Sequence, residues 1–574
     1  MKAIIALLLA ASLGAQTFQD RSKTVVAQFA NIPDLTKGSY GNIAAKLALG
    51  QDLEWCSKQL EALLAQGPSG DMFWMFPVTA IAHVDKGQLT PSARAALKRA
   101  WKTYAPYRGD TENHLLLYYT CLYLMSQLWP DAEWYTGNTS AENFREAKSW
   151  IDSWVKLTTT RGQGEYDSTH YIGVYLLPMS YLSAWAKDPQ MQKKATMMLD
   201  YLIADYAVEN LNGIYVGAHA RTDDKQVVEK WAGVSGDFGW TLFGLGPTPG
   251  APYHYVLYYL LASNYDPPEV LKQIATDRSQ PYTHYERKRT RNRWRFNDER
   301  HGPVYKTTYM TKDYAVGSDQ GGILQPIQQH SWDVTWTVPD PRGVHNTLFA
   351  LNPHSSLFEL QTYFVFGPDF GTEAVVRSKK TYDSPDKLLG GSPYEKIYQD
   401  KDTIIALYDV PAGARFPHVN GFFSKDLKDV TEDKSGWIFA RGGDALIAFR
   451  PLQPYEWKPI TGGGRRLFSP HRKNGVIMQV AAASEYPTMA AFHKAINALP
   501  LEAKMEPVPA VRFRSLRGTD MQFTYGTDPV DYSKWPLFGG PYLEAGIDSE
   551  QLVIKHGSKR RLLDFRRLVV QDSN

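Results

Sequence analysis

The sequence predicts an α+β multidomain protein: an N-terminal (α/α) toroid, or incomplete barrel, followed by a large antiparallel β-sandwich. Three observations predict it. The chain has 574 residues, more than one compact core organises. From about 36 to 265, apolar residues recur at three- and four-residue spacing, the period of amphipathic helices. After about 285 the texture changes to short β-branched and aromatic runs bounded by Gly, Pro, Asn and Asp, several of them alternating.

In chain order, "MKAIIALLLAASLGAQ" combines one Lys, an apolar stretch and small residues ending near Ala15. That pattern predicts a signal peptide over 1–15 and a secreted or periplasmic protein; the stretch is too short to span a bilayer, and no later one is long enough either. Helices are expected over "DLEWCSKQLEALLAQ" (52–66), "PSARAALKRAWKTY" (91–104), "NHLLLYYTCLYLMSQLW" (113–129), "AENFREAKSWIDSWVKL" (141–157) and "MQKKATMMLDYLIADYA" (191–207). No short repeat recurs, so hairpins of unequal length around a cleft are expected rather than a regular solenoid. Strands are expected over "GPVYKTTYM", "WDVTWTVPD", "LFELQTYFVFG", "DTIIALYDV", "GWIFARGGDALIAFRPL" and "NGVIMQVAAA". The divide is set at 16–285 for the toroid and 286–574 for the sandwich.

Hydrophobic residues at 43%, charged residues at 21% and a net charge of +3 exclude a disordered or membrane-embedded chain and give no basic footprint for nucleic acid. Aromatics reach 13%, with 16 Trp and 34 Tyr; they fill a core or stack on sugars, and "DMFWMFP" (71–77) makes Trp74 a candidate platform. Cys56 and Cys121 form either a bridge or two buried thiols. In "RKRTRNRWR", Arg287, Arg289, Arg291, Arg293 and Arg295 alternate, so an extended strand would turn all five to one side, as a solvated edge or as the wall of a groove for an acidic polymer.

Polar residues gather where inner helices should begin. "DTENH" (110–114) holds Asp110, Glu112, Asn113 and His114. "RGQGEYDSTHYIGVY" (161–175) holds Glu165, Asp167, His170, Tyr171 and Tyr175. "GIYVGAHARTDD" (213–224) holds His219 and Arg221, and in the strand half 309–336 adds Tyr309, Tyr314, Gln329 and His330.

The Asn-His pair opening a helix, the Ser-x-x-Tyr motif at 168–171 and a His from the sheet resemble heparinase II/III-type polysaccharide lyases and alginate lyases of toroid-plus-sandwich build. The resemblance implies β-elimination on a uronate polymer of alginate, glucuronan or glycosaminoglycan type. It implies that Asn113 and His114 bind the substrate carboxylate, that Tyr171 is the general acid and that His330 is the sheet-side partner. Here His170 precedes the tyrosine, so His170 or Tyr175 are alternatives for that role.

The chemistry accounts for these residue types independently. Abstracting the C5 proton of a uronate builds a second negative charge unless donors at its carboxylate let charge delocalise, and Asn, His and Arg are such donors. A tyrosine beside a cation can exchange protons with the ring, with Arg221 the candidate cation. Glu165, His170, Tyr175, His219, Arg221, Gln329, Tyr314 and Trp74 are the expected substrate contacts. The route requires no metal; family members with zinc in the sandwich raise His330, His345, His354 and His418 as candidates for a structural zinc or calcium, without the tight spacing of a ligand motif. A glycoside hydrolase would instead pair Asp110 or Glu112 with Glu165 or Asp167. A non-catalytic glycan binder would use the Trp-rich surface.

Overall fold

In the computed structural model, residues 16–32, 39–66, 72–105, 108–109, 111–135, 137–262, 265–290, 302–322, 328–354 and 383–574 are described. The expected signal peptide, Asp110, Arg291, Arg293 and Arg295 lie outside them.

Helices dominate up to Thr276: α1 (Phe18–Ala30), α2 (Ser39–Leu49), α3 (Leu53–Ala65), α4 (Met72–Val84), α5 (Pro91–Thr103), α6 (Glu112–Leu128), α7 (Ser140–Arg161), α8 (Ile172–Trp185), α9 (Pro189–Val208), α10 (Asp224–Val228), α11 (Val234–Phe243), α12 (His254–Ala262) and α13 (Glu269–Thr276). Their starts are written locally. Thr90 caps α5 ahead of Pro91, Thr139 and Glu142 form a capping box on α7, and Asp188 caps α9 ahead of Pro189. An inner ring closes as α2 packs on α4, α4 on α6, α6 on α8, α8 on α12, and α12 back on α2. These inner helices are apolar almost all round because both faces are covered, whereas α5 buries only the stripe Ala93, Leu97, Ala100 and Trp101. No helix among the described residues is long and apolar enough to cross a membrane. Cys56 and Cys121 are buried free thiols.

The strand half is built on two large antiparallel sheets face to face, with a three-stranded and a four-stranded sheet later in the chain. The nine-stranded sheet runs, in spatial order, Glu456–Pro459, Arg465–Ser469, Val419–Phe423, Thr347–Leu351, Trp332–Trp336, Tyr314–Gly321, Pro303–Met310, Tyr282–Arg289 and Phe538–Gly539. The six-stranded sheet runs Glu395–Asp400, Thr403–Asp409, Lys473–Ala482, Ala445–Pro451, Ile438–Gly442 and Lys428–Glu432. Alternate residues such as Val316, Trp332, Val334 and Trp336 from the first meet Ile404, Ile447, Phe449 and Met478 from the second. The predicted fold class is the one observed. The last strands depart from a simple sandwich: Leu543, Leu552, Ile554 and Leu563 join the core of the helical half.

Two devices fix the halves together beside the ring. His219–Ala220, in the loop after α9, pairs antiparallel with Gln329–His330, placing His219 opposite His330. The strand Tyr282–Arg289 turns His284, Glu286 and Lys288 toward the helices, while Tyr285 and Arg287 face the other way. The arginine row therefore does not behave as one face. Arg289 is buried in the helical half, Arg287 is half-buried, and the intervening Lys288 is the fully buried cation.

Candidate active site at the mouth of the helical ring

The starts of four inner helices converge. His114, in the first turn of α6, sets its ring edge-on to Phe73 of α4 at 5.4 Å. His254, opening α12, stacks on Phe76 at 5.8 Å. His170, just before α8, lies edge-on to Tyr171 and to Tyr253, 5.4 and 5.1 Å away. His114, His170, Tyr171 and His254 are only half-buried and Tyr253 is exposed, so these rings form an accessible mouth. Gly109 is required behind it: its φ is +77°, and a Cβ there would lie 2.5 Å from the His114 ring.

Below the mouth is a closed floor. Thr111 caps α6 and accepts the Asn113 Nδ2 amide at 2.9 Å. Asn113 also donates its backbone N–H (2.9 Å) and Nδ2 (2.5 Å) to Glu165 Oε2. Glu112 Oε2 accepts the Glu165 backbone N–H at 2.8 Å, and Glu112 Oε1 accepts from Trp154 Nε1 at 2.9 Å and from Arg289. The Tyr175 hydroxyl spans the two acids, 3.2 Å from Glu112 and 3.3 Å from Glu165. Burial first, then these two carboxylates, push the Tyr175 phenol far above its ordinary value, so it stays a proton donor in a sealed site.

Arg221 links floor to mouth. It takes a positive φ of 59°. Its Nε is 3.1 Å from Glu165 Oε1, its Nη1 donates to Gln328 Oε1 at 2.6 Å, and its Nη2 donates to the Tyr171 hydroxyl at 2.7 Å. The guanidinium also lies 4.8 Å from the centre of the Tyr171 ring. Burial lowers the His170 pKa below the ordinary imidazole value and that of His254 to about 4, so both imidazoles are neutral near pH 7.

On the sheet side, His219 Nδ1 donates to the Asp167 carbonyl at 2.7 Å, and His330 Nε2 donates to Asp333 at 2.8 Å beside the Lys230–Asp333 ion pair. Gln329 Nε2 donates to both Asp319 oxygens at 3.1 Å. Burial depresses both histidines, and neither is accessible.

The structure thus brings Asn113, His114, Glu165, His170, Tyr171, Tyr175 and Arg221 together, with His219, Gln329 and His330 one layer behind. It changes several expected roles. Asn113 and Tyr175 are buried and tied to the protein's own acids, not open to a substrate. His330 is tied to Asp333 beneath the surface. Trp74 is a core residue, packed on Trp101 and Tyr104 with Nε1 3.4 Å from the Tyr40 hydroxyl, and "MFWMFP" (72–77) is the start of an inner helix, not a surface. Tyr314 lies in the sandwich core, 3.4 Å from Asp402. Tyr253 and His254 are site residues that sequence reasoning did not select, a helix start beginning "PYHY" after a Gly-Pro loop being the signal for them; Arg289, expected on an edge or groove wall, instead joins the floor.

Among the described residues, His345, His354 and His418 do not converge with other ligands: His418 Nε2 donates to the Pro385 carbonyl at 2.8 Å, and His354 packs edge-on to Tyr394. Among the described residues, acids and histidines close enough to share an ion occur instead at Asp205, His284 and Glu286, and at Asp167, Glu209 and Glu286. Lys288 and Lys306 already sit among these groups: Lys288 is 3.0 Å from Asp167 and 2.5 Å from Asp205, and Lys306 is 2.8 Å from Glu209 and 3.2 Å from Glu286.

No family model and no curated protein matches the sequence. Among solved structures, the chain is similar to the crystal structure of heparinase III, over 90% of this chain and 84% of that one, at 10% identity and a TM-score of 0.41.

Proposed function

We propose that the chain is a polysaccharide lyase cleaving a uronate-containing acidic polysaccharide by β-elimination at the mouth. The observation carrying this reading is the accessible Tyr171 phenol, whose oxygen accepts a hydrogen bond from Arg221 at 2.7 Å among neutral imidazoles. A guanidinium at the phenol oxygen is the contact that supports a phenolate during proton exchange. His114 receives the uronate carboxylate and draws charge into it as the C5–H bond breaks, while Arg221 supports the Tyr171 phenol from beneath. His170, neutral, takes the C5 proton; the C4–O4 bond breaks, a C4=C5 double bond forms, and Tyr171 protonates the leaving O4. Asn113 is a positioning residue in this scheme, fixing Glu165 and through it Arg221. The closed floor disfavours hydrolysis, because Glu112 and Glu165, among the described residues, are buried against their own partners and do not pair toward a substrate.

Incubation with alginate, glucuronan, heparan sulfate, chondroitin sulfate and pectin tests the reading. New near-ultraviolet absorbance from unsaturated ends is expected with at least one. Tyr171→Phe should lower kcat by roughly a hundred- to ten-thousand-fold while binding persists. Reducing ends without that absorbance would make the chain a hydrolase.

A further inference from the structure

A second concave site lies on the face of the nine-stranded sheet turned away from the helices. It is a groove of about 210 Å³ between the strands Tyr282–Arg289 and Pro303–Met310, the edge strand Glu395–Asp400 and the segment around Trp535. Tyr285 is 37% exposed there. The Trp535 ring stands edge-on to Tyr285 at 5.1 Å and near Tyr305 at 5.8 Å, held in place by its Nε1 donating to the Glu286 carbonyl at 2.9 Å. The aromatic wall is therefore rigid before any ligand arrives.

The polar groups of the groove are unbalanced in a way that points to a ligand. Asp400, whose charge acts on Tyr285 and Tyr398, has a buried carboxylate oxygen (Oδ2) with no hydrogen-bond partner. A desolvated acceptor of this kind is costly unless a donor reaches it. Gln320 uses its Oε1 on the Ile397 amide at 2.6 Å and keeps its NH2 as a donor. No Lys, Arg or His is among the described residues lining the groove, and Arg287, opposite Tyr305 in the register, does not line it.

We propose that this groove binds an uncharged sugar residue of a polysaccharide, its C–H face on Tyr285 and Trp535 and a hydroxyl pair on Asp400. Asp400 in the groove and Asp528, whose charge acts on Tyr305 and Tyr532, outweigh Arg287 behind Tyr305 and disfavour uronates, sulfates and phosphates, so the ligand is not the acidic unit assigned to the mouth. An ammonium group also suits rings beside a carboxylate, but it offers only donors and leaves the Gln320 NH2 without an acceptor. A sugar presents donors and acceptors together. The inference stands apart from the lyase reading.

Electrophoresis of the full chain through native gels containing a soluble glucan, galactomannan, arabinoxylan or galactan tests it. Retardation in at least one is expected, unchanged in Tyr171→Phe. Calorimetry with the matching hexasaccharide should show binding about tenfold weaker in Tyr285→Ala and more than about tenfold weaker in Asp400→Asn. The proposal is overturned by no retardation in any gel, by retardation that Tyr171→Phe abolishes, by affinity that both groove variants leave intact, or by calorimetric binding of choline without sugar binding.

Discussion

Two buried charge clusters lie within a few residues of each other in sequence and differ in balance. The floor of the mouth holds two carboxylates, Glu112 and Glu165, against two guanidiniums, Arg289 and Arg221. The network beneath it holds four carboxylates, Asp167, Asp205, Glu209 and Glu286, against two ammoniums, Lys288 and Lys306. The floor is satisfied by pairing, whereas the lower network needs protons as well. Burial first, then Glu286, pushes Asp205 well above the carboxylate range, and burial raises Glu209 to about 8. Burial would raise Glu286 too, but Lys288, Lys306 and His284 overcome it and hold that acid well below its ordinary value. With Asp205 and Glu209 protonated, two carboxylates remain for two ammoniums. The floor is thus built for fixed geometry near the mouth, and the lower network for joining helices to sheet with a dependence on pH.

The largest expected effect breaks the lower network. Lys306 touches Asp167, Glu209 and Glu286, and Thr308 also donates to Glu209. Lys306→Met leaves acids buried without their cation, at a cost of roughly 3–5 kcal/mol, a large share of the 5–15 kcal/mol or so that keeps a domain folded. Loss of soluble protein, or a much lower denaturant midpoint, is expected. Adding Glu286→Gln should recover part of the loss, since it removes one of the carboxylates that stay ionised beside Lys306. No recovery would mean that the acids do not share Lys306.

Arg289→Met comes next, at about 3 kcal/mol, the lower end for a broken buried pair, because Glu112 keeps the Trp154 N–H and the Glu165 amide. Turnover on the cleaved polysaccharide should fall with stability, since Glu112 holds the loop carrying Glu165. A stable Arg289→Met protein with full activity would detach the floor from the mouth.

The outer helices were legible in the sequence because each has one wet face. The predicted 52–66 and 91–104 sit within a residue of the observed α3 and α5. Inner helices such as α4 and α12 carry apolar residues on every side, so no 3.6-residue period marks them, and "DMFWMFP" read as a surface. At the site, residue types were legible and their direction was not. Asn113 and His114 are neighbours, yet helix geometry turns one into the floor and the other to the mouth. Nothing local to "RKRTRNRWR" says that Lys288 is the buried cation, because its partners Asp167 and Asp205 come from distant loops and helices.

A smaller effect separates the clusters by pH. Glu209, with a folded pKa of about 8, binds a proton in the folded chain that an unfolded carboxyl releases near 4.5. Its contribution is complete below the unfolded value and is lost as pH rises through 8. Asp319, also at about 8 through burial, acts in the same direction. Buried histidines with lowered values, such as His219 and His330, oppose this only below the ordinary imidazole value near 6.5. Between pH 6.5 and 8, unfolding free energy should therefore fall as pH rises, by up to about 1.4 kcal/mol per pH unit for each such acid. Denaturant curves of Glu209→Gln should show a shallower slope than those of the unaltered chain. An equal slope would remove Glu209 as a source.

The smallest effect sharpens the account of the floor itself. Thr111 caps α6 through its Oγ1, which is 3.4 Å from the His114 amide and accepts Asn113 Nδ2 at 2.9 Å. Thr111→Ala should cost about 1 kcal/mol, as a lost N-cap does, and free one of the two bonds that aim the Asn113 amide at Glu165. If Asn113 acts by positioning Glu165 and Arg221, Thr111→Ala should lower kcat several-fold with KM nearly unchanged, and Asn113→Ala should lower it further in the same direction. If Asn113 instead meets the substrate carboxylate directly, Asn113→Ala should raise KM while Thr111→Ala leaves it alone. The KM values of the two variants, measured on the same polysaccharide, decide between an amide that holds the protein's own acid and one that holds the sugar's.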